Sequence, residues 1–342
     1  MEKATSVLLI YTGGTIGMVH QPDTGTLVPI NFNHISQQVP ELKRIGFRIE
    51  SVTFDPVIDS AEVDPSLWVK LVDTIEKKYD EYDGFVILHG TDTMAYSASA
   101  LSFMMRNLTK PVIFTGAQLP IGVLRTDGKE NLITAIEIAA AKEDGKAIVP
   151  EVCIYFENKL MRGNRTTKYS SENFNAFASP NLQPLAVAGL QIRYNRSLIR
   201  YPNPEKQMII RKKIDNNVGI LKLFPGIRRE FVESIINTPG LRGLILETYG
   251  SGNAPSHEWF KDTLKRFVDN GGIIVNVTQC QTGFVEMGLY KTSIGLKEAG
   301  VFSGRDITTE AALTKLMLLL GSASSMEKVA ERLCKSMCGE IS

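Results

Sequence analysis

Short apolar runs alternate with amphipathic stretches along most of the chain. The runs are rich in Val, Ile, Leu and Phe, which is typical of strands buried on both faces of a parallel sheet. The stretches between them have the apolar spacing of crossover helices. The predicted strands are residues 6–11, 84–88, 111–115, 151–156, 218–223, 243–248 and 272–277. The predicted helices are residues 65–79, 93–107, 127–142, 228–237, 256–269, 308–320 and 325–338. This pattern predicts an α/β fold class with mostly parallel sheets.

A polar stretch interrupts the alternation after residue 195. It contains Pro202 and Pro204 among polar residues, which is typical of a linker, and the alternation restarts near residue 218. A chain of 342 residues is also longer than most single hydrophobic cores accommodate. We therefore predict a larger N-terminal α/β domain over residues 1–195, a linker over residues 196–215 and a smaller C-terminal α/β domain over residues 216–342.

The composition is that of an ordinary soluble globular protein, with 43% hydrophobic and 22% charged residues. The formal net charge of +1 gives no electrostatic basis for binding nucleic acid or a membrane surface. No apolar run approaches the ~20 residues of a membrane span, and the first run is too short for a signal-peptide core. We interpret the four scattered cysteines as reduced thiols of a cytoplasmic protein.

Two threonine-bearing motifs directly follow predicted strands. Residues 12–17 read Thr-Gly-Gly-Thr-Ile-Gly, and residues 89–93 read His-Gly-Thr-Asp-Thr. The carboxyl ends of strands in an open α/β sheet are where ligands bind, so the two motifs are expected to meet at one site. Two hydroxyl groups and a carboxylate there suit a threonine nucleophile, which needs a base within hydrogen-bond reach. Histidine chemistry is disfavoured, because only His89 of the four histidines lies in a motif.

Each of these motifs also has a purely structural interpretation. The glycines of residues 12–17 are compatible with a tight strand-to-helix turn. Asp92 is compatible with a cap on the helix that begins near residue 93. Lys168 lies in a polar segment, where a lysine is usually solvent-exposed. If it is partly desolvated beside Asp92, the balance between burial and the neighbouring charge decides whether it can act as a base. Asp59 and Ser60 follow another short strand candidate and suit the charged ends of an amino acid.

Motifs for cofactors and metals are weak or missing. Residues 122–130 depart from a phosphate-binding loop in their glycine spacing and carry a glutamate where Mg²⁺ would need a hydroxyl. Residues 250–255 lack the third glycine of a dinucleotide-binding turn. Cys334 and Cys338 are one helical turn apart but have no histidine nearby. We expect no metal and no cofactor.

Taken together, five motifs in series resemble the bacterial-type L-asparaginase family. The resemblance covers essentially the whole chain and is closest to the cytoplasmic type I branch. The motifs are residues 12–17, 59–60, 89–93, 162–168 (Arg-Gly-Asn-Arg-Thr-Thr-Lys) and 249–255 (Tyr-Gly-Ser-Gly-Asn-Ala-Pro).

The resemblance implies hydrolysis of L-asparagine to L-aspartate and ammonia without metal or cofactor. It implies that Thr15 attacks the side-chain amide carbon and forms a β-aspartyl ester. Thr91, Asp92 and Lys168 match a second cluster that assists proton transfer and positions the water. Backbone N–H groups near Thr15 and Thr91 are expected to bind the oxyanion.

The resemblance also implies the substrate pocket and the assembly. Asp59 and Ser60 match the pocket for the α-carboxylate and α-ammonium groups, where Asp92 assists. Asn253 matches an asparagine that enters the neighbouring site of an intimate dimer, and a homotetramer built from two such dimers is expected.

Some relatives in this family carry a second, regulatory asparagine site. Thr167 and Cys280 lie at positions that could line it, whereas Glu247 stands where some relatives have a basic residue. Because a glutamate repels an effector carboxylate, we expect any allosteric response to be altered or absent.

Two other functions remain open on the sequence. The first is the asparaginase-like subunit of an archaeal-type tRNA amidotransferase, which usually has an additional N-terminal domain; Thr15 lies too near the start of this chain to leave room for one. The second is a non-catalytic amino-acid-binding protein with the same fold, which the presence of Thr15, Thr91, Asp92 and Lys168 disfavours.

Overall fold

The computed structural model describes residues 4–20, 27–29, 39–288 and 291–342. Contacts divide the chain into two compact units, Met1–Ile210 and Arg211–Ser342. The division falls within the segment predicted as a linker, but residues 209–210 of that segment pair with a strand of the first unit. The domain limits proposed from the sequence stay a prediction.

The first unit contains both long and very short strands. They are β1 (Ser6–Tyr11), β2 (Met18–His20), β3 (Leu27–Pro29), β4 (Arg48–Thr53), β5 (Gly84–Leu88), β6 (Met105–Arg106), β7 (Val112–Thr115), β8 (Lys142–Glu143), β9 (Lys146–Ala147), β10 (Val152–Phe156), β11 (Lys159–Arg162), β12 (Thr167–Lys168), β13 (Phe177–Ala178), β14 (Ala186–Ala188), β15 (Ile192–Tyr194) and β16 (Ile209–Ile210). The long central strands β1, β5 and β10 are buried along their whole length, as expected for a sheet covered on both faces.

Helices connect the parallel strands of this unit. They are α1 (Pro65–Lys78), α2 (Met94–Met104) and α3 (Gly128–Ala140), with 3₁₀ turns at Thr15–Gly17, Pro40–Arg44, Ser60–Glu62 and Gly163–Arg165. Asp64 caps α1, because its carboxylate accepts a 2.7 Å hydrogen bond from the Ser66 amide and Pro65 occupies the first turn.

Within the described residues, the main sheet of this unit has eight strands in the order β15-β14-β11-β10-β7-β5-β1-β4. The segment from β10 to β4 is parallel, and the segment from β10 to β15 is antiparallel. The parallel, crossover-connected core confirms the predicted fold class. The antiparallel extension has no counterpart in the sequence prediction.

The second unit is a smaller α/β unit. Its elements are β17 (Val218–Lys222), α4 (Arg229–Ile236), β18 (Gly243–Thr248), α5 (Glu258–Asp269), β19 (Ile273–Thr278), α6 (Lys291–Glu298), β20 (Phe302–Ser303), α7 (Thr309–Ser322) and α8 (Met326–Leu333). The sheet order β17-β18-β19-β20 is parallel throughout. None of the described helices is long and apolar enough to cross a bilayer.

Two of the predicted helices extend three or more residues past the observed carboxyl end. The helix predicted over residues 93–107 ends at Met104, because residues 105–106 form β6 and pair with β16. The helix predicted over residues 325–338 ends at Leu333. The segment that follows is held instead by hydrogen bonds to the carboxylate of Glu340. In both cases a contact outside the local sequence ends the helix.

Candidate active site

The order in which successive parallel strands are added to the sheet reverses at β1. The chain places β4 on one side of β1 and β5 on the other, and β7 and β10 follow beyond β5. In open α/β sheets the crevice at such a switch point is where ligands bind. Residues 12–17 leave the carboxyl end of β1, and residues 89–93 leave the carboxyl end of β5. The sheet therefore brings both threonine motifs to the switch point.

The glycines of residues 12–17 allow the first motif to pack against the second. Gly13 and Gly14 have φ values of 134° and 89°, a region that L side chains rarely adopt. A Cβ atom on Gly14 would lie 2.4 Å from the Gly90 nitrogen, and one on Gly90 would lie 2.5 Å from Ser60 Oγ. Three segments, residues 12–17, 59–60 and 89–93, therefore meet in close contact. Thr15 begins a 3₁₀ turn at this junction, and its side chain is partly exposed.

The Tyr11 side chain stabilises the turn that carries Thr15. The Tyr11 hydroxyl donates a 3.1 Å hydrogen bond to the Gly17 carbonyl. Burial raises the pKa of Tyr11 to about 12, so this hydroxyl keeps its proton and remains a donor at neutral pH. A Cβ atom on Gly17 would collide with the same ring. The conformation of residues 12–17 is thus stabilised by contacts with the Tyr11 side chain as well as permitted by the glycines.

Lys168 joins the second motif through two hydrogen bonds. Its Nζ donates to Thr91 Oγ1 at 2.8 Å and to Asp92 Oδ1 at 2.7 Å. The Ser60 hydroxyl donates a longer bond of 3.4 Å to Asp92 Oδ2. The Lys168 side chain is 16% exposed, whereas that of Asp92 is 64% exposed. The lysine is therefore mostly enclosed, and the carboxylate it contacts stays open to a ligand.

Packing around α2 explains how Lys168 reaches residues that are distant in sequence. Lys168 lies on β12, opposite Phe177 of β13, and the Phe177 ring packs on Phe156 with 4.9 Å between ring centroids. The preceding segment packs directly on α2, since a Cβ atom on Gly163 would lie 3.0 Å from Ala98 Cβ. As α2 begins just after Asp92, one helix positions both members of the pair.

The capping interpretation of Asp92 is wrong in detail. The N-cap residue of α2 is Thr93, and no side-chain hydrogen bond caps this helix. The Thr93 hydroxyl donates instead to the Ser60 carbonyl at 2.7 Å. The Asp92 carboxylate interacts with Lys168 and Ser60 rather than with the helix terminus.

His89 is a buried support of the second motif. Its ring is 1% exposed, and burial lowers the pKa of this histidine to about 4, so the ring is uncharged at neutral pH. Nδ1 lies 2.7 Å from the Gly90 carbonyl and Nε2 lies 2.9 Å from Ser97 Oγ. Both ring nitrogens are therefore engaged within the protein.

The sequence analysis missed Gln118, which extends the cluster. Its Oε1 accepts a 3.2 Å hydrogen bond from Thr91 Oγ1, and its Nε2 donates to the Asn173 carbonyl at 3.2 Å. The Asp127 carboxylate accepts hydrogen bonds of 3.0 and 3.1 Å from the backbone N–H of Gln118, so a residue of the 122–130 segment positions Gln118. Gln118 follows the carboxyl end of β7 as closely as the two threonine motifs follow their strands. That position is the feature of the sequence from which a site residue could have been predicted.

The remaining sequence-predicted residues lie in different surroundings. Asp59 is exposed and its carboxylate accepts a 2.9 Å bond from the Ala61 amide, so it shapes the turn that carries Ser60. Thr167 lies on β12, opposite Ala178 in the first unit. The residues predicted from the second unit are Asn253, Cys280 and Glu247.

Asn253 lies in the tight turn that follows β18, where its backbone N–H donates a 2.8 Å hydrogen bond to the Tyr249 carbonyl. Cys280 is exposed after β19. The Glu247 carboxylate accepts a 2.7 Å bond from Thr309 and lies 3.7 Å from Lys222. The roles predicted for these residues and for Thr167 stay predictions.

The described residues include no group of three or more His, Cys, Asp or Glu side chains arranged to hold a metal ion. The chemical groups at the switch point are hydroxyls, an ammonium group and a carboxylate. Threonine hydroxyls, a lysine and a carboxylate thus meet at the switch point of a parallel α/β sheet, the position at which such folds bind ligands.

Comparison with known proteins identifies the family. The model of the asparaginase N-terminal domain matches residues 6–200, and that of the glutaminase/asparaginase C-terminal domain matches residues 217–333. L-asparaginase 1 of Escherichia coli (strain K12) is 42% identical over 347 residues, which cover 100% of this chain and 99% of that protein. The chain belongs to the asparaginase family.

Two further relatives show how far this similarity extends. The crystal structure of L-asparaginase I from Vibrio cholerae matches with a TM-score of 0.90 and 39% identity, covering 99% of this chain and 100% of that one. The 60 kDa lysophospholipase of Mus musculus is also 39% identical, covering 100% of this chain but 63% of that protein. The fold prediction and the family prediction are thereby confirmed.

Proposed function

We propose that this protein hydrolyses the side-chain amide of L-asparagine to L-aspartate and ammonia, with Thr15 as the nucleophile. The observation that carries the proposal is the position of Lys168, whose Nζ bridges Thr91 Oγ1 and Asp92 Oδ1 beside the loop that presents Thr15. The names of the full-length relatives, L-asparaginase 1 and L-asparaginase I, support the same activity.

The first chemical step forms an ester. Thr15 Oγ1 bonds to the amide carbon of the substrate, the carbon–nitrogen bond breaks, and the hydroxyl proton is transferred through the site to the departing nitrogen, which leaves as ammonia. In the second step water attacks the ester carbon. The bond to Thr15 breaks, the threonine recovers a proton, and L-aspartate is released.

The cluster around Lys168 supplies the proton-transfer groups for both steps. Thr91 Oγ1 accepts from Lys168 and donates to Gln118, so its hydroxyl is fixed in position and orientation. General acid–base catalysis of this kind contributes typically 10²–10⁴-fold to the rate. An amide leaving group gains most from it, because the nitrogen must be protonated as it leaves.

Substrate binding is assigned to the open side of the same cluster. The Asp92 carboxylate is 64% exposed and presents negative charge to a substrate ammonium group. The Ser60 hydroxyl donates to Asp92, and the Ser60 carbonyl accepts a hydrogen bond from the Thr93 hydroxyl. Ser60 can therefore orient the Asp92 carboxylate and contact the substrate. Asp59 is proposed as a further pocket residue at the rim.

The test compares Thr15→Ala and Thr15→Ser with the wild type. Ammonia release is measured over a concentration series of L-asparagine and of L-glutamine. We expect Thr15→Ala to abolish turnover and Thr15→Ser to retain part of it. Thr74→Ala is the matched control, because the Thr74 hydroxyl bonds to the Lys70 carbonyl on an exposed helix face. A folded wild type that releases ammonia from neither substrate would refute the proposal.

The same assay separates the alternative functions. An amidotransferase subunit would favour glutamine, whereas an amino-acid-binding protein would bind asparagine without releasing ammonia. Glutamine is one methylene longer, a difference worth about 1–3 kcal/mol in a pocket. We therefore expect a preference for asparagine with a measurable glutaminase side activity.

The assembly, location and regulation are proposed with the activity. We propose a cytoplasmic homotetramer built from two intimate dimers, in which Asn253 completes the neighbouring site. Light scattering tests the assembly, and Asn253→Ala should lower activity without unfolding the chain.

We further propose that Glu247 weakens any allosteric response. A sigmoidal rate curve that becomes hyperbolic on Thr167→Ala would contradict that proposal.

A further inference from the structure

A buried chain of hydrogen bonds lies directly behind the second motif. Trp68 Nε1 donates to Ser97 Oγ at 3.0 Å, Ser97 Oγ lies 2.9 Å from His89 Nε2, and His89 Nδ1 lies 2.7 Å from the Gly90 carbonyl oxygen. The three side chains are 5%, 0% and 1% exposed. The chain connects α1 and α2 to the loop that carries Thr91 and Asp92.

The direction of every bond in this chain is determined by its chemistry. The Gly90 carbonyl only accepts, so the proton of the uncharged imidazole resides on Nδ1 and Nε2 is an acceptor. The indole of Trp68 only donates, so Ser97 Oγ accepts from it and gives its own proton to His89. The burial that lowers the pKa of His89 to about 4 keeps this single arrangement at neutral pH.

The last bond fixes the orientation of one peptide group. The Gly90–Thr91 peptide is trans, so its C=O and N–H groups point in opposite directions. Because the carbonyl points to the buried imidazole, the Thr91 N–H points away from it. Among the residues that the structure describes, none accepts a hydrogen bond from this N–H. It is therefore a donor with a fixed direction, and it lies one residue after Gly90, whose backbone packs against Gly14 of the loop that carries Thr15.

We propose that His89 is a positioning residue, which, through the Trp68–Ser97–His89 chain, holds the Gly90–Thr91 peptide so that the Thr91 N–H can stabilise the oxyanion. The inference rests on the proposed function, since an oxyanion forms only if an acyl group is transferred. It assigns a role in the reaction to three buried residues that contact no substrate. Preorganised donors of this kind cost no reorganisation when negative charge develops.

The kinetic test uses variants that differ in one donor. His89→Leu removes the Nδ1 donor, whereas His89→Asn offers an amide N–H at a comparable position. We expect kcat of His89→Leu to fall about 10- to 100-fold, less than complete loss of an oxyanion donor, with KM nearly unchanged. We expect His89→Asn to recover part of this loss. Equal kcat values for His89→Leu and the wild type would overturn the proposal.

Ser97 provides the second test. Ser97→Ala leaves His89 Nε2 without a donor and the Trp68 indole without an acceptor, so the imidazole is held by the Gly90 carbonyl alone. We expect kcat to fall while KM is retained. Ser102→Ala is the matched control on the same helix, because the Ser102 hydroxyl bonds to the Ala98 carbonyl within α2. If both variants lose stability equally and neither changes kcat, the chain is structural only and the inference fails.

A spectroscopic test is independent of activity. Long-range ¹H–¹⁵N NMR of the four histidines, with His89 assigned by its absence in His89→Asn, reports which ring nitrogen carries the proton. We expect the Nδ1–H form for the wild type and for Ser97→Ala, because the Gly90 carbonyl faces Nδ1 in both. The Nε2–H form in the wild type would overturn the inference even in an active enzyme. The Nδ1–H form in a protein that hydrolyses no amide would refute the proposed function instead.

Discussion

Two lysine–carboxylate pairs in this protein have the same separation but opposite surroundings. In the first unit Lys168 Nζ lies 2.7 Å from Asp92 Oδ1, and in the second unit Lys315 Nζ lies 2.7 Å from Glu340 Oε1. The side chains of the first pair are 16% and 64% exposed, whereas those of the second are 1% and 0% exposed. The same separation therefore occurs in a pair that is open to solvent and in a pair that is sealed from it.

The enclosed pair is satisfied entirely by the protein. Lys315 also donates to the carbonyls of Leu333 and Lys335 at 2.8 Å, and Glu340 accepts from the amides of Met337 and Cys338. Burial acts to raise the pKa of Glu340, but the charge and hydrogen bond of Lys315 and the two amides outweigh it, so the pKa is held below its ordinary value. The pair holds the segment after α8 against α7.

The open pair has one member free to meet a ligand. The Asp92 side chain is 64% exposed and leaves room for ligand atoms, whereas the Lys315 and Glu340 side chains are 1% and 0% exposed and leave none. The comparison indicates that the Lys168–Asp92 pair is accessible to a ligand, whereas the Lys315–Glu340 pair is not.

The largest effect is expected for Lys168→Met. Removing the proposed proton-transfer group should lower kcat/KM for asparagine about 10²–10⁴-fold. The free energy of unfolding should change by less than about 1 kcal/mol, since the exposed Asp92 is readily solvated. Ammonia release and urea unfolding check both values. A large loss of stability with little loss of activity would show that the Lys168–Asp92 pair is structural and would contradict its proposed catalytic role.

Lys315→Met should show the opposite behaviour. It leaves the Glu340 charge buried without its partner, which costs about 3–5 kcal/mol of unfolding free energy. Activity per folded molecule should be retained at low temperature. The double variant Lys315→Met/Glu340→Gln carries no buried charge and should recover part of the loss in urea unfolding. No recovery would mean that packing, rather than charge, makes the lysine important.

The enclosed pair should also make stability depend on pH in the acid range. The folded-state pKa of Glu340 lies below the ordinary value of 4.5. Its contribution is therefore complete above pH 4.5 and is lost as the pH falls through the folded-state pKa. Urea unfolding of the wild type should show a decline below pH 4.5 that is smaller in the double variant. Identical pH profiles would contradict this assignment.

The smallest effect is expected for a fully accessible pair of the same chemistry. Lys265 and Asp269 lie four residues apart on α5 at 2.8 Å, with side chains 52% and 58% exposed. Lys265→Met should change the unfolding free energy by less than about 0.5 kcal/mol, and added salt should remove the difference. A change as large as that for Lys315→Met would show that distance alone sets the stabilisation.

Most of the regular structure could be predicted from the sequence. The central strands β1, β5 and β18 have the predicted bounds. These segments are recognisable because a strand buried on both faces is apolar throughout, and a crossover helix has its own period. The position of Thr15, Thr91 and Asp92 at strand ends follows from the same local pattern.

The sequence alone could not indicate where short or irregular segments go. The very short strands β6 and β16 carry no periodic signal and exist only because they pair with each other. The antiparallel strands β14 and β15 are similarly short. Gln118 escaped notice because its role depends on the side chain of Thr91, which reaches it only in the folded chain.

The sequence by itself determined the alternating elements, the two threonine motifs at strand ends and the family. Tertiary structure decided that β1 lies between β4 and β5, that Lys168 reaches Asp92, and that Lys315 is sealed against Glu340. The physical reason is the range of the interactions. Hydrophobic period and turn chemistry act over a few neighbouring residues, whereas burial and charge pairing depend on which distant segments pack together.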